Sequence, residues 1–224
     1  MAVSRNSSRR PVASAVANTI TLGPLTGTQL QVLVRELGGL HRLDPGIRGV
    51  LGQNVLNGAD YLIDYEHRRL EFDDGGDLLR SISGGRTPFT RLPGSSADGA
   101  LVIHTVVVDG SSQIRNLVLD SGTGSMVLFD ESSAASRTSS AGFVQDAEGK
   151  QQPTALRHVQ LQIGSSEWNL LAHSLRYYES IPDVDGLIPA SLFPRLYISN
   201  SGGFVMLSPK LRRRSALPGA LANR

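Results

Sequence analysis

The sequence predicts an all-β chain of many short strands, on three observations. Gly (24) and Pro (11) supply about one residue in six of 224, so turn signals are dense. Apolar runs are short, and several alternate with polar residues or stop at Gly, Asp or Asn, while no long stretch repeats with the 3.6-residue period of a helix. The hydrophobic share, 40%, is enough for a core in one large or two small domains. No run approaches the roughly 18 apolar residues of a membrane-spanning helix. Cys is absent, which excludes a disulfide framework and a thiolate metal site and leaves the compartment open.

The net charge of +2 hides an uneven distribution. Residues 1–10 carry Arg5, Arg9 and Arg10, and residues 210–224 carry Lys210, Arg212, Arg213, Arg214 and Arg224, with no acid in either segment. Both are expected to be solvated, disordered basic tails. The body between them holds all 20 acidic residues and has a net charge of −6. A basic stripe on a folded face is therefore not expected, which argues against a nucleic-acid module.

The first patterned block spans about 20–72, within a unit read as 11–73. Gln29–Val34 begins with strand-like alternation, and Gly49-Val50-Leu51-Gly52 is an apolar segment closed by glycines. Tyr61–Tyr65 and Arg69–Phe72 flank Glu66-His67-Arg68 and read as a hairpin. Residues 74–98 turn to Gly, Ser, Asp and Pro and read as a linker, with Leu78-Leu79 and Phe89 leaving room for a strand fragment. The second unit, 99–209, predicts strands at Leu101–Val108, Ile114–Leu119, Met126–Phe129, Val159–Ile163 and Trp168–Leu171. Phe143–Gln145 and Thr154–Leu156 flank a turn around Glu148-Gly149-Lys150 and form a candidate hairpin.

The two units share an internal repeat. Residues 47–56 (IRGVLGQNVL) lie against 184–193 (VDGLIPASLF) at an offset of 137, with glycine on glycine. After a two-residue gap, Tyr61-Leu62-Ile63 lies against Leu196-Tyr197-Ile198, and Leu70-Glu71-Phe72 against Val205-Met206-Leu207. Upstream, Gln29–Val32 resembles Gln160–Ile163.

The segment richest in chemistry is Leu117-Val118-Leu119-Asp120-Ser121-Gly122-Thr123-Gly124-Ser125. It places a carboxylate where an apolar strand ends in a tight turn. Gly122 and Gly124 permit close backbone approach, and Ser121 and Thr123 add hydroxyl donors. By itself an Asp-Ser-Gly turn is ordinary turn chemistry.

This motif, its apolar lead-in and Val184-Asp185-Gly186-Leu187-Ile188 resemble the lobe of a pepsin/retropepsin-like aspartic protease. Pro189 stands where that family usually has Gly. The resemblance implies double-β-barrel lobes, the second complete and the first partial. It implies that Asp120 is a catalytic carboxylate, that Ser121 braces the two Asp loops, that Thr123 hydrogen-bonds the carboxylate, and that Gly122 and Gly124 shape the turn. A substrate flap would fall, by position alone, at Glu148, Gly149 and Lys150. Gly186, Leu187 and Ile188 would form a ψ-shaped strand arrangement beside the Asp loop, with Val50, Leu51 and Gly52 as the matching segment of the first lobe. The implied partner is a peptide or protein substrate, with no cofactor and no metal.

Aspartic proteolysis needs two carboxylates sharing one proton, and one Asp-Ser/Thr-Gly-Ser/Thr motif is present. Gly186 follows Asp120 by 66 residues, and the same distance back from Gly49 falls before Met1. Three readings stay open: a second carboxylate upstream of Met1, a homodimer pairing two Asp120 loops, or a non-catalytic binding or scaffold protein that kept the fold.

Other sites are weaker. No Gly-x-Ser-x-Gly elbow occurs. Gly122-Thr123-Gly124 begins like a dinucleotide fingerprint, but Val127 occupies the third glycine position. The five His residues show no metal-ligand spacing. His104 is expected to face outward or be hydrogen-bonded, Asp185 to serve its turn, Asp64 to lie on the surface, and Trp168 to pack.

Overall fold

A computed structural model describes residues 13–34, 36, 38–92, 99–109, 111–129, 140–145, 151–175 and 183–211. The first unit contains β1 (Ala13–Leu22), β2 (Leu25–Val34), α1 (Gly38–Leu43), α2 (Gln53–Leu56), β3 (Tyr61–Asp64) and β4 (Arg69–Phe72). Next come α3 (Asp77–Ser81), β5 (Ile82–Ser83) and β6 (Thr87–Arg91). The second unit runs through β7 (Leu101–Asp109), β8 (Ser111–Asp120), β9 (Met126–Phe129), β10 (Ser140–Gln145), β11 (Gln151–Ile163) and β12 (Ser166–Leu175). It ends with β13 (Gly186–Pro189), a 3-10 turn (Ala190–Leu192), β14 (Arg195–Ser199), β15 (Phe204–Leu207) and β16 (Lys210–Leu211).

The alternation in β7 explains the core. Leu101, Ile103, Thr105 and Val107 point inward and are buried, while His104 is exposed, as the two-residue period of a strand requires. Val102 is buried as well, because Val118 and Val184 cover the other face. Six strands close into a barrel. β7 pairs with β8, β8 lies parallel to β13, and β13 runs antiparallel to β9. β9 lies parallel to β12, β12 pairs with β11, and β11 returns to β7 through Gln160–Gln162. Closure leaves none of these six strands as an open edge over the paired stretches. Ile103, Leu117, Leu161, Ile188 and Phe193 fill the interior.

The crossing of β13 between β8 and β9 sets a steric rule. A Cβ on Gly186 would lie 2.2 Å from the Val127 carbonyl oxygen, inside the backbone of β9. At the repeat counterpart, Gly49, a Cβ would meet nothing within 4 Å.

β6 carries the sheet out of the barrel, pairing with β7 on one side and β15 on the other. Beyond it the order is β15, β14, β3, β4. This layer displays the repeat directly. The β3–β4 and β14–β15 hairpins have the same register, Tyr61 opposite Phe72 and Leu196 opposite Leu207, an offset of 135. Asp73 N–H donates to Asp60 O and Ser208 N–H to Arg195 O, both at 2.8 Å and again 135 apart. The His67 N–H caps Asp64 Oδ1 (3.0 Å) as the Gly202 N–H caps Ser199 Oγ (3.1 Å). Arg68 and Gly203 hold matching left-handed turns, with φ 55° and 68°. The two hairpins also pair with each other. In the antiparallel β3–β14 ladder, Leu62 sits opposite its own counterpart, Tyr197, as a local two-fold axis between them requires.

Several sequence expectations change. Residues 74–98 contain α3, β5 and β6, not a bare linker. Ile82 is buried against Leu62 and Tyr197, and β6 is an inner strand. The apolar content is low because the segment needs few core residues; its backbone pairing does the rest. Gln29–Val32 lies on β2, the second strand of its hairpin, whereas Gln160–Ile163 lies on β11, the first strand of its own. The structural match is β1–β2 with β11–β12. Both turn on a left-handed glycine (Gly23, φ 57°; Gly164, φ 59°) and both close with a two-residue turn. Asp64 is buried, at 5% exposure, instead of lying on the surface. Val50, Leu51 and Gly52 belong to no strand, and Val50 and Leu51 are exposed at 64% and 41%. Among the described residues there is no counterpart of β7–β9 for them to join. Lys210–Leu211 pair with β5, while residues 1–10 and 212–224 lie outside the described residues.

Substituting Ala at Gly186 is expected to destabilise the chain by about 3 kcal/mol or more, since backbone and not a flexible side chain must move. Gly49→Ala is expected to stay within about 0.5 kcal/mol of the parent. Urea denaturation of both variants measures the contrast.

Candidate functional site

Asp120 is the last residue of β8, opposite Pro189 of β13 in the parallel ladder. Leu117 before it is fully buried and anchors the strand, so the carboxylate is carried to a fixed place at the sheet end. Asp120 itself is 3% exposed. The Gly122 N–H donates to its Oδ1 at 2.7 Å, closing an Asx turn. Ser121, Gly122 and Gly124 face solvent, and a Cβ on Gly124 would meet nothing within 4 Å. Thr123, which the resemblance aims at the carboxylate, instead donates its hydroxyl to the Ser125 carbonyl at 2.9 Å. The turn is thus braced internally before β9 begins at Met126.

Gly186, Leu187 and Ile188 form β13 and lie beside Leu117–Leu119, with Gly186 and Leu187 also opposite Leu128 and Val127 of β9. Asp185 fixes the entry to this strand. Its Oδ2 accepts the Asn116 N–H, and its own N–H donates to Asn116 O, both at 2.8 Å. Arg115 adds a 3.5 Å ion pair. Val50, Leu51 and Gly52 are not brought to the Asp120 turn as strand partners. Glu148, Gly149 and Lys150 lie outside the described residues, though β10 and β11 on either side pair as a hairpin, with Gln145 opposite Gln151.

Tyr65 is the residue the sequence reading missed. It follows β3 in the first unit, and its N–H donates to Pro194 O at 2.9 Å. Its phenol is pushed above the ordinary tyrosine range, first by burial and then by the negative charge of Asp120. Tyr65 packs, half-buried, against the core cluster that contains Ile188 and Phe193. No local motif marks it, since its place follows from β3 pairing with β14. Tyr65 also lines a shallow groove of about 600 Å³ with Glu66, Pro194, Arg195, Ser208, Pro209 and Lys210.

A charged cluster adjoins this groove, sharing Glu66 and Arg195 with its lining. Asp64 Oδ2 is 2.8 Å from His67 Nδ1 and 3.0 Å from Arg195 Nε, while Arg195 Nη2 donates to Glu66 at 2.7 Å. Ligand atoms of Asp64, Glu66 and His67 converge within 4.8 Å, but the Arg195 guanidinium already fills the role of counter-cation. Burial would raise the Asp64 pKa, and the hydrogen bonds from His67 and Arg195 outweigh it, lowering the value to about 2. Elsewhere, His104 is exposed and lies 2.6 Å from Asn116 Oδ1. Trp168 packs edge-on against Phe193 at 5.4 Å.

No protein-family model matches the chain, and a search of curated proteins returns no match.

Because the Asp64 pKa is lower folded than unfolded, its contribution to stability is present above about pH 4 and is lost as pH falls toward 2. Urea midpoints between pH 2 and 5 measure it. Asp64→Asn is expected to flatten that acid slope, and an unchanged slope would contradict the assignment.

Proposed function

We propose that this chain belongs to an aspartic endopeptidase built from pepsin/retropepsin-like lobes, with Asp120 as one of its two carboxylates. The second carboxylate comes from outside residues 1–224. The observation that carries this reading is the join at Asp120: an Asp-Ser-Gly turn ends a barrel strand, with an apolar-Gly strand threaded parallel beside it. The half-copy of the same unit, set against the first about a local two-fold axis, supports a bilobed parent. In the proposed reaction one carboxylate takes a proton from a water that attacks the peptide carbonyl carbon. The other, held protonated by like-charge repulsion, gives its proton to the carbonyl oxygen. The tetrahedral adduct then loses the amine, which takes the proton that the first carboxylate drew from water, while one hydroxyl of the adduct returns its proton to the second carboxylate.

A second reading, a non-catalytic protein that kept the fold for binding, is favoured by the 3% exposure of Asp120. The two differ in a protein that joins residues 1–224 to the segment proposed to supply the second carboxylate. For the protease reading, that protein cleaves unfolded substrate between about pH 3 and 5, and Asp120→Asn lowers the rate by about 1,000-fold with little change in thermal midpoint. No cleavage, or cleavage untouched by Asp120→Asn, assigns the fold to binding.

A further inference from the structure

The first unit is an incomplete copy of a barrel whose complete form is in the same chain, and the complete form shows what the incomplete one lacks. Superposing the β1–β2 turn on the β11–β12 turn sets Thr19–Thr21 on Gln160–Gln162, which β11 uses to hold β7. The same match sets Gln31–Val34 on Ala172–Leu175, which β12 uses to hold β9 in parallel. The helical turns that follow Gly52 and Pro189 set Gly49–Gly52 on β13, which β8 and β9 enclose. Among the described residues, β1 and β2 pair only with each other, so each lacks the second neighbour that β11 and β12 have, and residues 49–52 pair with no strand. Its side chains show the same gap. Leu33 is 66% exposed where Ser174 is 2%, and Leu51 is 41% exposed where Ile188 is 0%. Gly49 keeps a glycine that nothing within 4 Å requires, where Gly186 needs one to clear the backbone of β9.

We infer that β1, β2 and residues 49–52 dock a β-segment outside residues 1–224 that is patterned like Leu101–Phe129. That pattern is an apolar-alternating strand, a hairpin return, and a third strand after a tight turn. The segment adds an antiparallel strand to β1 and a parallel strand to β2, and it encloses residues 49–52 between its second and third strands. A second copy of this chain does not supply it, because the copy's own β7–β9 are consumed in a closed barrel. Giving the docked turn the second Asp-Ser/Thr-Gly rests on the protease reading; the docking itself rests on the duplication.

The probe is the chain's internal example of the pattern, residues 99–130 fused to a soluble carrier and labelled. It is titrated with the 224-residue protein and followed by fluorescence anisotropy. Saturable 1:1 binding is expected, weakened at least about tenfold by Gly49→Ala, whose Cβ would collide with the arriving strand, and by Leu33→Lys. No binding overturns the inference. Binding indifferent to both substitutions also overturns it, since the probe has then replaced the chain's own β7–β9. Dimerisation of the protein alone, abolished by Leu33→Lys, overturns it in favour of a second copy. No substrate is used, so failure of this experiment leaves the protease reading to its own assay.

Discussion

The antiparallel pairing of β3 with β14 is the contact on which the rest of the architecture depends. It joins a segment of the first unit to its own repeat counterpart in the second, with Leu62 opposite Tyr197. Both residues are buried, together with Ile82 and Met206, so the local axis runs through an apolar cluster. Polar groups around it are satisfied across the repeat. Tyr197 donates its hydroxyl to Asp73 at 2.7 Å, while Asp73 also accepts the Leu78 and Leu79 N–H groups that start α3. Burial and the Asp73 carboxylate together push the Tyr197 phenol up. Ser199 and Ser201 donate to Asp60, whose burial is outweighed by these hydrogen bonds, so its pKa falls. Arg91 reaches from β6 to Asn57 and Asn200, fastening the strand between the two halves.

From that seam two different fates follow. In the second unit the strands beyond β14–β15 find a full set of partners and close a barrel, which buries Ile188 and holds Asp120 at the end of β8. In the first unit the same kinds of element occur in the same order, a hairpin, an apolar-Gly segment, a helical turn and a closing hairpin, but β1–β2 remains a two-stranded ribbon with no buried residue. The contrast is physical: a strand pair with apolar residues reaches low exposure only when another layer covers it. Tyr65, a residue of the incomplete unit, packs against the core cluster that holds Ile188 and Phe193 of the complete one.

Much of this was legible in the sequence wherever the signal is local. The alternation of Leu101–Val108, the turn residues around Glu66-His67-Arg68 and the strand-end placement of Asp120 each follow from neighbours within a few positions. The repeat was legible too, including the shift in offset from 137 to 135. What was not legible depends on distant partners. Asp64 looked like a surface residue because its neutralising partner, Arg195, is 131 positions away. β6 and Ile82 looked like linker because their place comes from β7, β15 and Tyr197, and Tyr65 carries no motif at all. Thr123 kept the expected residue type but spends its hydroxyl proton on Ser125, a choice of rotamer and turn geometry that sequence cannot specify.

The central claim is that one chain holds a complete and an incomplete copy of a single β unit. Residue-resolved amide hydrogen exchange on the free protein tests it most directly, by comparing matched amides in the two copies. The account predicts strong protection at Leu187 and Ile188 and exchange within about tenfold of an unstructured chain at Val50 and Leu51. Equal protection at the two pairs would mean that the first unit is already closed, and would contradict it.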